Sequence, residues 1–497
     1  MTGNVHQSIA LQPLADRALA LDGPAPASPW LSTLRLQQWG GGDAAGVQVV
    51  IADLDGLDLL QTLEAATGHS RLLLMTEVLL QPGPDDGDGV PIRSHLLAIA
   101  ERNGWQLQRE QDMTAPLIDQ RQALIAALGR QRGSLEREGF DVAAALQDLQ
   151  QRQLALRQGR RQGLTLCLVC AAPARQRTLA VQPEHAERMR ALFAEVFGHP
   201  MTAGHWQWKY ASGHGQAVAL FEDGEMVAHY GGLTRELKVF GQAMRGCQVC
   251  DVMVATRARR SLARRGPMFC MAATFLETQI GWGLPHAIGF GFPSARHQGM
   301  ADRMRLYEGV DRMVQLSWPT DAAAAAEGLR VDELHDSDAG ADRQGWRQVD
   351  RLWQAMAKDL QQSVLGVRDA GWLRWRYLQR PGVDYQVLSV RSRWLRRPIG
   401  VLVLRRRDDA LELLDLVARP QDFARLLALA RARAADAGLP RLRCWVSASH
   451  QSLLSGDAPV QADDLAIEVP ACRHTLGPEP STLRNRWFLM AGDADFT

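Results

Sequence analysis

The stretch DVMVATRARRSLARRGPMF, residues 251–269, contains the pattern that decides the fold of the central part of the chain. Its first residues end an apolar run that predicts a buried strand, and Pro267 is typical of the first turn of a helix. Five arginines lie between them, within residues 257–265. Such a run is usually a solvated surface or faces a nucleic acid. Its place between a strand and a helix favours a phosphate site instead, because helix N-termini bind anions.

The composition predicts a globular protein of the cytoplasm. The chain has 497 residues, 46% of them apolar, and a formal net charge of +1. At about 150 residues per domain we expect three units. The balanced charge provides no field for recruiting nucleic acid or an acidic membrane. The first residues show no export signal, and no apolar run approaches the ~18 residues of a membrane span.

The seven cysteines are not typical of a disulfide framework, because their number is odd and they are widely spread. Two CxxC pairs, Cys167/Cys170 and Cys247/Cys250, could together form a zinc site. Both pairs lie in apolar runs that predict strands, where residues i and i+3 point to opposite faces. We therefore predict buried thiols and no metal.

Residues 1 to about 45 are expected to be mostly irregular, and from there to residue 172 strand and helix patterns alternate, which predicts an α/β unit. The order from VQVVIADL to the closing LTLCLVCAA resembles the distal half of a class I S-adenosylmethionine-dependent methyltransferase. Such enzymes need a glycine-rich turn between a strand and a helix, whereas WGGGD at 39–43 follows no strong strand and precedes no helix. We expect a degenerate domain that does not bind S-adenosylmethionine and serves packing, a protein partner or self-association.

A motif occurs twice farther along the chain, as HWQWKY at 205–210 and WLRWRY at 372–377. Around each copy the periodicities predict a similar order of helices and strands, and the aperiodic residues 319–345 between them predict a linker. The fixed points are Trp208 and Asp251 in the first copy, 43 residues apart, and Trp375 and Asp415 in the second, 40 residues apart. The sequence therefore predicts a duplicated unit.

The element order of these copies resembles the GNAT N-acyltransferase superfamily. The residues that carry the resemblance are 251–269 and SARHQGMADRMRLYEGV at 294–310. The resemblance implies two GNAT-like mixed-sheet α+β domains in tandem, at 177–318 and 346–497, after the incomplete Rossmann-like domain. The expected fold class is α/β.

The resemblance also implies a site for acetyl-CoA or another acyl-CoA. In the superfamily, the amides of the loop and the N-terminus of the next helix hold the pyrophosphate. A strand amide around Met253 to Ala255 would polarise the thioester carbonyl. Leu262 stands where the superfamily has the first glycine of its loop. The implied cofactor-binding residues are Met253, Val254, Ala255, Arg259, Arg260, Arg264, Arg265, Gly266 and Met268.

Two residues are implied as catalytic. Tyr307 would protonate the departing thiolate of coenzyme A, although a tyrosine that only packs its ring is the alternative. Asp251 would take the proton of the attacking amine, although it could simply tie down backbone. Trp206, Lys209 and His229 are candidates for contact with the acceptor. We expect the main role of HWQWKY to be the packing of a helix against the sheet.

The second copy lacks the arginine-rich loop and the tyrosine of the first copy, since DLVARP at 415–420 leads directly into a helix and no tyrosine matches Tyr307. We expect it to be inactive, and we expect the C-terminal RWFLMAGDADFT to be a strand with a solvated acidic end; a tail facing the amine is the alternative. The predicted function is N-acyl transfer from acyl-CoA to a small-molecule or peptide amine by direct attack in a ternary complex. The alternative is a non-catalytic scaffold or ligand-sensing protein.

Overall fold

The protein, seen in a computed structural model, has a mixed α/β fold with two compact units, Met1–Leu179 and Ala180–Thr497. The structure describes residues 47–51, 56–84, 86, 90–170, 176–259, 266–320, 328–395, 397–455 and 460–496. The predicted site residues Arg260, Arg264 and Arg265 and the WGGGD stretch lie outside the described residues. Among the described helices, none is both long enough and apolar enough to cross a bilayer.

The first unit contains a four-stranded sheet with the order β1-β2-β4-β3. Its elements are β1 (Val47–Ile51), α1 (Gly56–Ala65), β2 (Arg71–Leu79), α2 (Arg93–Arg102), β3 (Trp105–Asp112), α3 (Thr114–Arg137), α4 (Val142–Arg157) and β4 (Arg161–Cys170). Strands β1 and β2 run parallel, while β4 is antiparallel to both β2 and β3. The predicted alternation of strands and helices is confirmed for these elements.

Helices α3 and α4 form a hairpin with its own apolar seam. The side chains in this seam are Leu128, Leu135, Val142, Ala145 and Leu149. Gly133 lies inside α3 and does not interrupt it. The chain turns instead at Gly139, whose φ of +91° suits glycine, and Asp141 caps α4 by accepting the Ala144 N–H at 3.0 Å.

The second unit contains two sheets and nine helices among its described residues. Its helices are α5 (Ala186–Phe197), α6 (Ala203–Trp206), α7 (Pro267–Gln279), α8 (Ala295–Arg303), α9 (Gly340–Asp359), α10 (Ala370–Leu373), α11 (Phe423–Asp436), α12 (Ser452–Ser455) and α13 (Pro480–Leu483). Its strands are β6 (Gly215–Glu222), β7 (Glu225–Val239), β8 (Gln242–Val254), β9 (Ile288–Gly291), β10 (Tyr307–Pro319), β11 (Leu329–Glu333), β12 (Val364–Gly366), β13 (Gln386–Ser392), β14 (Pro398–Arg406), β15 (Leu411–Ala418), β16 (Arg441–Ser447), β17 (Gln461–Cys472) and β18 (Trp487–Phe488). A further strand, β5 (Gln176–Ala180), crosses the boundary between the units.

The long strand β7 is the centre of the first sheet of this unit. One edge pairs antiparallel with β8, and the other pairs antiparallel with β6 and, farther along, with β12. Strand β9 then pairs in parallel with β8, and β18 with β12. The first sheet therefore contains strands from both predicted copies.

The second sheet has the order β11-β13-β14-β15-β16-β10-β17. Its one parallel pair among the described strands is β15 with β16. Strand β10 belongs by sequence to the first copy, yet it lies between β16 and β17 of the second. The two segments thus exchange strands, and the tandem division at residues 318 and 346 stays a prediction.

Part of the predicted linker is folded. Residues 329–333 form β11, an edge strand that pairs with β13, and helix α9 already begins at Gly340. An edge strand needs only one hydrogen-bonded neighbour, so its five residues can be short and half exposed. The Ala/Asp/Gly-rich composition of residues 319–345 predicted a linker and gave no indication of this strand.

Candidate active site

Strand β8 carries a bulge at Asp251. The pairing register with β7 shifts between His229 and Gly231, and the φ of Asp251 is +47°, in the left-handed region that side chains rarely adopt. Such bulges bend a strand and re-aim its groups, often beside an active site. On its other edge, β8 pairs with β9 only as far as Val249 and Gly291. Strand β9 ends there, and we call the edge of β8 beyond Val249, with which no described strand pairs, the β8 gap.

One backbone amide near the bulge faces this gap. The Ala255 N–H donates to the Val227 carbonyl at 2.8 Å, so it belongs to the β7 ladder. Because antiparallel partners alternate, Met253 is also directed to β7, whereas the N–H of Val254 points away from it. The carbonyl of Val254 points the same way and accepts a hydrogen bond from Arg259 Nε at 2.9 Å. The expectation for Met253 and Ala255 is therefore corrected: Val254 alone offers its amide.

The helix that follows the arginine run begins as the sequence predicts. Gly266 is extended at the N-cap and provides no side-chain cap, and Pro267 occupies the first turn of the 13-residue α7. The first N–H groups of a helix without a side-chain cap remain available to an anion. Met268, in the same turn, is partly buried. Glu195 fixes the start of the segment after β8 by accepting the Thr256 N–H at 2.9 Å.

A buried charge cluster lies behind the bulge. The ammonium of Lys209 contacts a carboxylate oxygen of Asp251 at 2.8 Å and one of Asp495 at 2.6 Å. The hydroxyl of Tyr210 donates to Asp251 at 2.5 Å, and Cys250 Sγ lies 3.8 Å from that hydroxyl. The Cys250, Asp251 and Asp495 ligand atoms lie within 4.8 Å of one another, as a metal site would require. The Lys209 ammonium supplies the positive charge there.

The electrostatics keep this cluster ionised. Burial alone would lower the pKa of Lys209, but the Asp251 and Asp495 carboxylates outweigh it and raise that pKa. Burial alone would raise the pKa of Asp251, but the Lys209 charge and the hydrogen bonds from Lys209 and Tyr210 lower it. A carboxylate with a lowered pKa is a weak proton acceptor. Asp495 is the most exposed member of the ion-paired trio, with 11% of its side chain accessible.

His229 supports the bulge from β7. Its Nδ1 lies 2.8 Å from the Asp251 carbonyl oxygen, which requires the proton on Nδ1 and leaves Nε2 as an acceptor. Nε2 is buried and has no partner among the described residues. Burial lowers the pKa of His229, so the ring is neutral. Gly231 makes room, since a Cβ there would lie 2.5 Å from the Tyr210 hydroxyl oxygen and 3.0 Å from the His229 ring.

The structure places Tyr307 apart from this cluster. Helix α8 ends at Arg303, Arg305 turns the chain with a φ of +57°, and Tyr307 begins β10. Its buried hydroxyl lies 2.9 Å from that of Tyr230. Burial raises the pKa of Tyr307, so its phenol holds its proton firmly. Neighbouring strand residues point to opposite faces, so Tyr230 and Tyr307 meet on the sheet face opposite His229.

The predicted acceptor-contact residues come together but are buried. Lys209 and His229 are inaccessible, and the Trp206 ring lies 6.1 Å from that of Tyr210. Sequence reasoning missed Tyr210 and Asp495. Tyr210 belongs to the repeated motif, which was its available signal. Asp495 carried no comparable signal, because its partner Lys209 is 286 residues away.

Residues 177–298 match the family model described as an acetyltransferase (GNAT) domain. The matched GNAT segment includes the bulged β8, the arginine run and the start of α7, and it ends before Tyr307. A search of curated proteins gives no match.

Several solved structures resemble parts of the chain at low identity. A probable N-acyltransferase from Enterococcus faecalis V583, described as a conserved protein of unknown function, is 14% identical with a TM-score of 0.47, over 60% of this chain and 72% of that one. A GCN5-related N-acetyltransferase from Kribbella flavida is 15% identical with a TM-score of 0.43, over 60% and 70%. Saccharomyces cerevisiae N-myristoyltransferase with bound myristoyl-CoA and inhibitors is 9% identical with a TM-score of 0.41, over 63% and 85%.

The second half of the unit repeats the local structure of the GNAT segment around its motif. In each half, a side-chain-capped four-residue α-helix runs into a five-residue π-helical turn, at Gln207–Ala211 and at Arg374–Leu378. The tyrosine of the turn again bonds the strand aspartate, since Tyr377 donates to Asp415 at 2.9 Å. Equivalent residues of the two motifs therefore make equivalent contacts.

The corresponding gap of the second half is filled by the C-terminal segment, residues 487–496. Parallel pairing of β15 with β16 ends at Leu413 and Cys444, and beyond it the Ser447 N–H donates to the Leu489 carbonyl at 3.0 Å. Arg376, the counterpart of Lys209, donates to the carbonyls of Gly492 and Ala494 at 3.1 and 2.8 Å. A cavity of about 150 Å³ remains beside this segment. Drug-sized ligands occupy about 300 Å³ or more, so an acyl-CoA does not fit there.

The C-terminal segment corrects the expectation of a solvated acidic end. Asp493 is buried, binding Arg235 of the first half at 2.9 Å and also Arg368 of the second. Arg368 in turn binds Asp415 at 2.8 Å. Buried charges require such partners, and these come from strands far apart in sequence. The same segment then delivers Asp495 to Lys209.

Proposed function

We propose that residues 177–318 bind an acyl-CoA and transfer its acyl group to an amine. The observation that carries this proposal is the β8 gap, with the outward Val254 amide at one end and the uncapped N-terminus of α7 leading away from it. The match of residues 177–298 to the GNAT acetyltransferase domain supports the same class of reaction.

In the proposed complex the phosphates lie against α7 and the loop before it. Amides of the first helical turn and the positive end of the helix dipole favour their charge. Arg259, Arg260, Arg264 and Arg265 add cationic donors next to it. The missing loop glycine at Leu262 is compensated by these arginines. Gly266, Pro267 and Met268 form the helix start.

Two groups act on the thioester in this proposal. The Val254 N–H donates to the thioester oxygen as negative charge develops on it during attack by the amine. The C–S bond breaks as the C–N bond forms, and Tyr307 gives its proton to the departing thiolate. The raised pKa of Tyr307 keeps that proton available at neutral pH. Tyr230, hydrogen bonded to it, holds that hydroxyl in place, and Tyr307 regains a proton from solvent after the products leave.

The proton of the attacking amine goes to the carboxylate cluster in this proposal. Asp251 keeps its predicted role there, although Lys209 holds its pKa low. Asp495 shares Lys209 and is the more accessible carboxylate of the two, at 11% against 6% of its side chain. Trp206 borders the approach beside Tyr210. The acceptor is a small-molecule or peptide amine.

The decisive experiment uses the full chain with acetyl-CoA. Calorimetry measures binding, and release of free thiol measures transfer to panels of amino acids, amino sugars and peptides. The variant Arg264→Glu/Arg265→Glu should weaken binding at least tenfold, because charge-assisted contacts contribute about 1.5 kcal/mol or more each. The control Arg303→Glu, at an exposed arginine on α8, should bind as the parent does. Absence of binding by the parent at high micromolar acetyl-CoA would sink the proposal.

The second candidate is a non-catalytic scaffold or ligand-sensing protein. It is favoured by the burial of Tyr307 and by the filled gap of the second half. In that case acetyl-CoA would bind without thiol release for any amine. We further propose that residues 346–497 form an inactive second copy that shapes the unit.

We also propose that residues 1–172 are a methyltransferase-like remnant that serves packing or a partner. The mixed order β1-β2-β4-β3, with β4 antiparallel between its neighbours, supports this. Calorimetry with S-adenosylmethionine is expected to show no binding. A cytoplasmic location is part of the same proposal.

A further inference from the structure

The hairpin between β13 and β14 exposes two large apolar side chains at its tip. Trp394 is 83% exposed and Leu395 is 80% exposed, the two highest values among the large apolar side chains that the structure describes. Exposing them costs free energy, because water orders around apolar surface. We call residues 391–395 and 397, the described residues of this turn, the hairpin tip.

The conformation of the hairpin tip is well supported by hydrogen bonds. The Ser392 N–H donates to the Arg397 carbonyl at 2.8 Å and closes the turn. The Leu395 N–H donates to Ser392 Oγ at 3.3 Å, and the Arg393 N–H donates to the Gly328 carbonyl at 2.8 Å. Trp394 and Leu395 are thus presented to solvent by an ordered turn.

The surroundings of the hairpin tip are positively charged. The described arginines on it and on the elements packed against it are Arg330, Arg391, Arg393, Arg397 and Arg425. Two carboxylates face them: Asp332 contacts Arg391 and Arg330 at 2.6 and 3.2 Å, and Asp422 lies 4.0 Å from Arg397. The hairpin tip itself contributes three of these arginines, Arg391, Arg393 and Arg397, and no carboxylate, on a chain whose net charge is only +1.

We propose that the hairpin tip docks on an anionic lipid surface. Trp394 would lie at the headgroup boundary, where indoles are preferred, and Leu395 would enter the acyl region. The arginines around them would contact lipid phosphates, each contributing in proportion to the negative surface potential. The tip protrudes as a turn, so it can enter a membrane surface without unfolding.

Two other partners fit the hairpin tip less well. A leucine gains nothing by stacking on a nucleic-acid base, whereas it gains free energy in hydrocarbon. A stable protein interface needs about 800 Å² per partner and some 20 residues, with an apolar core that two adjacent side chains do not provide. The combination of aromatic, aliphatic and excess cationic groups favours lipid.

The test measures co-sedimentation of the full chain with vesicles of phosphatidylcholine alone or with about a third phosphatidylglycerol. The parent should bind the anionic vesicles at least tenfold more strongly, and ~0.5 M salt should weaken that binding. Trp394→Ser/Leu395→Ser should lower it at least tenfold, and Arg393→Glu/Arg397→Glu should lower it as well. The matched control is Leu476→Ser, since Leu476 is 63% exposed elsewhere in the same unit.

Three results would overturn the proposal. The first is parent protein that does not bind anionic vesicles, and the second is a double-serine variant that binds them like the parent. The third is a variant that keeps its vesicle binding but loses affinity for a single-stranded RNA or loses a dimer seen by light scattering. Circular dichroism of each variant checks that the fold is intact.

Discussion

The indole of Trp208 lies flat on that of Trp375, with ring centres 4.6 Å apart and ring planes 15° apart. Its Nε1–H also donates to the Trp375 carbonyl oxygen at 2.9 Å. These are the equivalent tryptophans of HWQWKY and WLRWRY, so the two copies of the motif pack directly on each other. The repeat in the sequence thus marks the place where the two halves of the second unit meet.

Removing this contact should destabilise the second unit strongly. Trp208→Ala is expected to lower the free energy of unfolding by about 3 to 5 kcal/mol, because it leaves a cavity in a buried aromatic stack. Denaturant unfolding of the full chain measures the loss. Trp394→Ala, at an exposed tryptophan, should change it by less than ~0.5 kcal/mol.

A double-mutant cycle on the same pair separates stacking from simple loss of volume. Trp208→Ala and Trp375→Ala should be non-additive by about 1 kcal/mol, the coupling typical of aromatic pairs. Additive losses would mean that the two rings contribute independently.

The buried charge at Asp493 should also be costly to remove. Asp493→Asn leaves Arg235 and Arg368 without a shared carboxylate and should cost about 3 to 5 kcal/mol of unfolding free energy. The matched surface change is Asp464→Asn, which removes the partner of the exposed Arg312 and should cost about 0 to 1 kcal/mol. Equal costs for the two variants would show that the C-terminal segment is not anchored by this charge.

The stability of the fold should decrease as the pH falls through the range in which the buried histidines titrate. Burial lowers the pKa of His286 to about 4, although the hydrogen bond to the Gln279 carbonyl opposes it, and the value is 6.5 in the unfolded chain. The unfolded state therefore binds more protons below pH ~6.5, and stability is lost as the pH falls from there to about 4. This residue alone should contribute about 3 kcal/mol to that loss.

Unfolding curves at a series of pH values check this dependence. His286→Asn should flatten the profile between pH ~6.5 and 4, and His205, whose pKa burial also lowers to about 4, should account for part of the remaining slope. His335→Asn, at a histidine with 70% of its side chain exposed, is the control. An unchanged slope in the His286 variant would contradict the prediction.

The two partner tyrosines provide a matched test of the proposed acid. Tyr307→Phe and Tyr230→Phe each remove one hydroxyl of the same buried hydrogen bond, so their structural costs should be similar. If Tyr307 protonates the thiolate, its variant should lose about 100-fold or more in thiol release, because acid catalysis contributes at least that much. Tyr230→Phe should lose less than about tenfold. Equal losses would remove Tyr307 from the mechanism.

Local patterns were enough to predict most elements of the fold, including those that carry the candidate site. The apolar run around Asp251 and Pro267 predicted β8 and α7, because each signal lies within a few residues of the element it describes. The repeated motif predicted a repeated structure, and Tyr210 and Tyr377 occupy equivalent positions in it. The family resemblance then directed the site prediction to β8, which carries the bulge at Asp251.

What the sequence by itself determined was the order of most elements, the strand that ends at Val254 and the helix that begins at Pro267, and the positions of the repeated motif. Only the tertiary structure decided that β10 joins the second sheet, that Tyr307 faces Tyr230, and that the C-terminal segment fills one gap and brings Asp495 to Lys209. The physical reason is the distance along the chain between the residues that make each contact. Periodicity reports which face of an element is apolar, whereas buried charges and exchanged strands find partners hundreds of residues away, where only the packed fold brings them together.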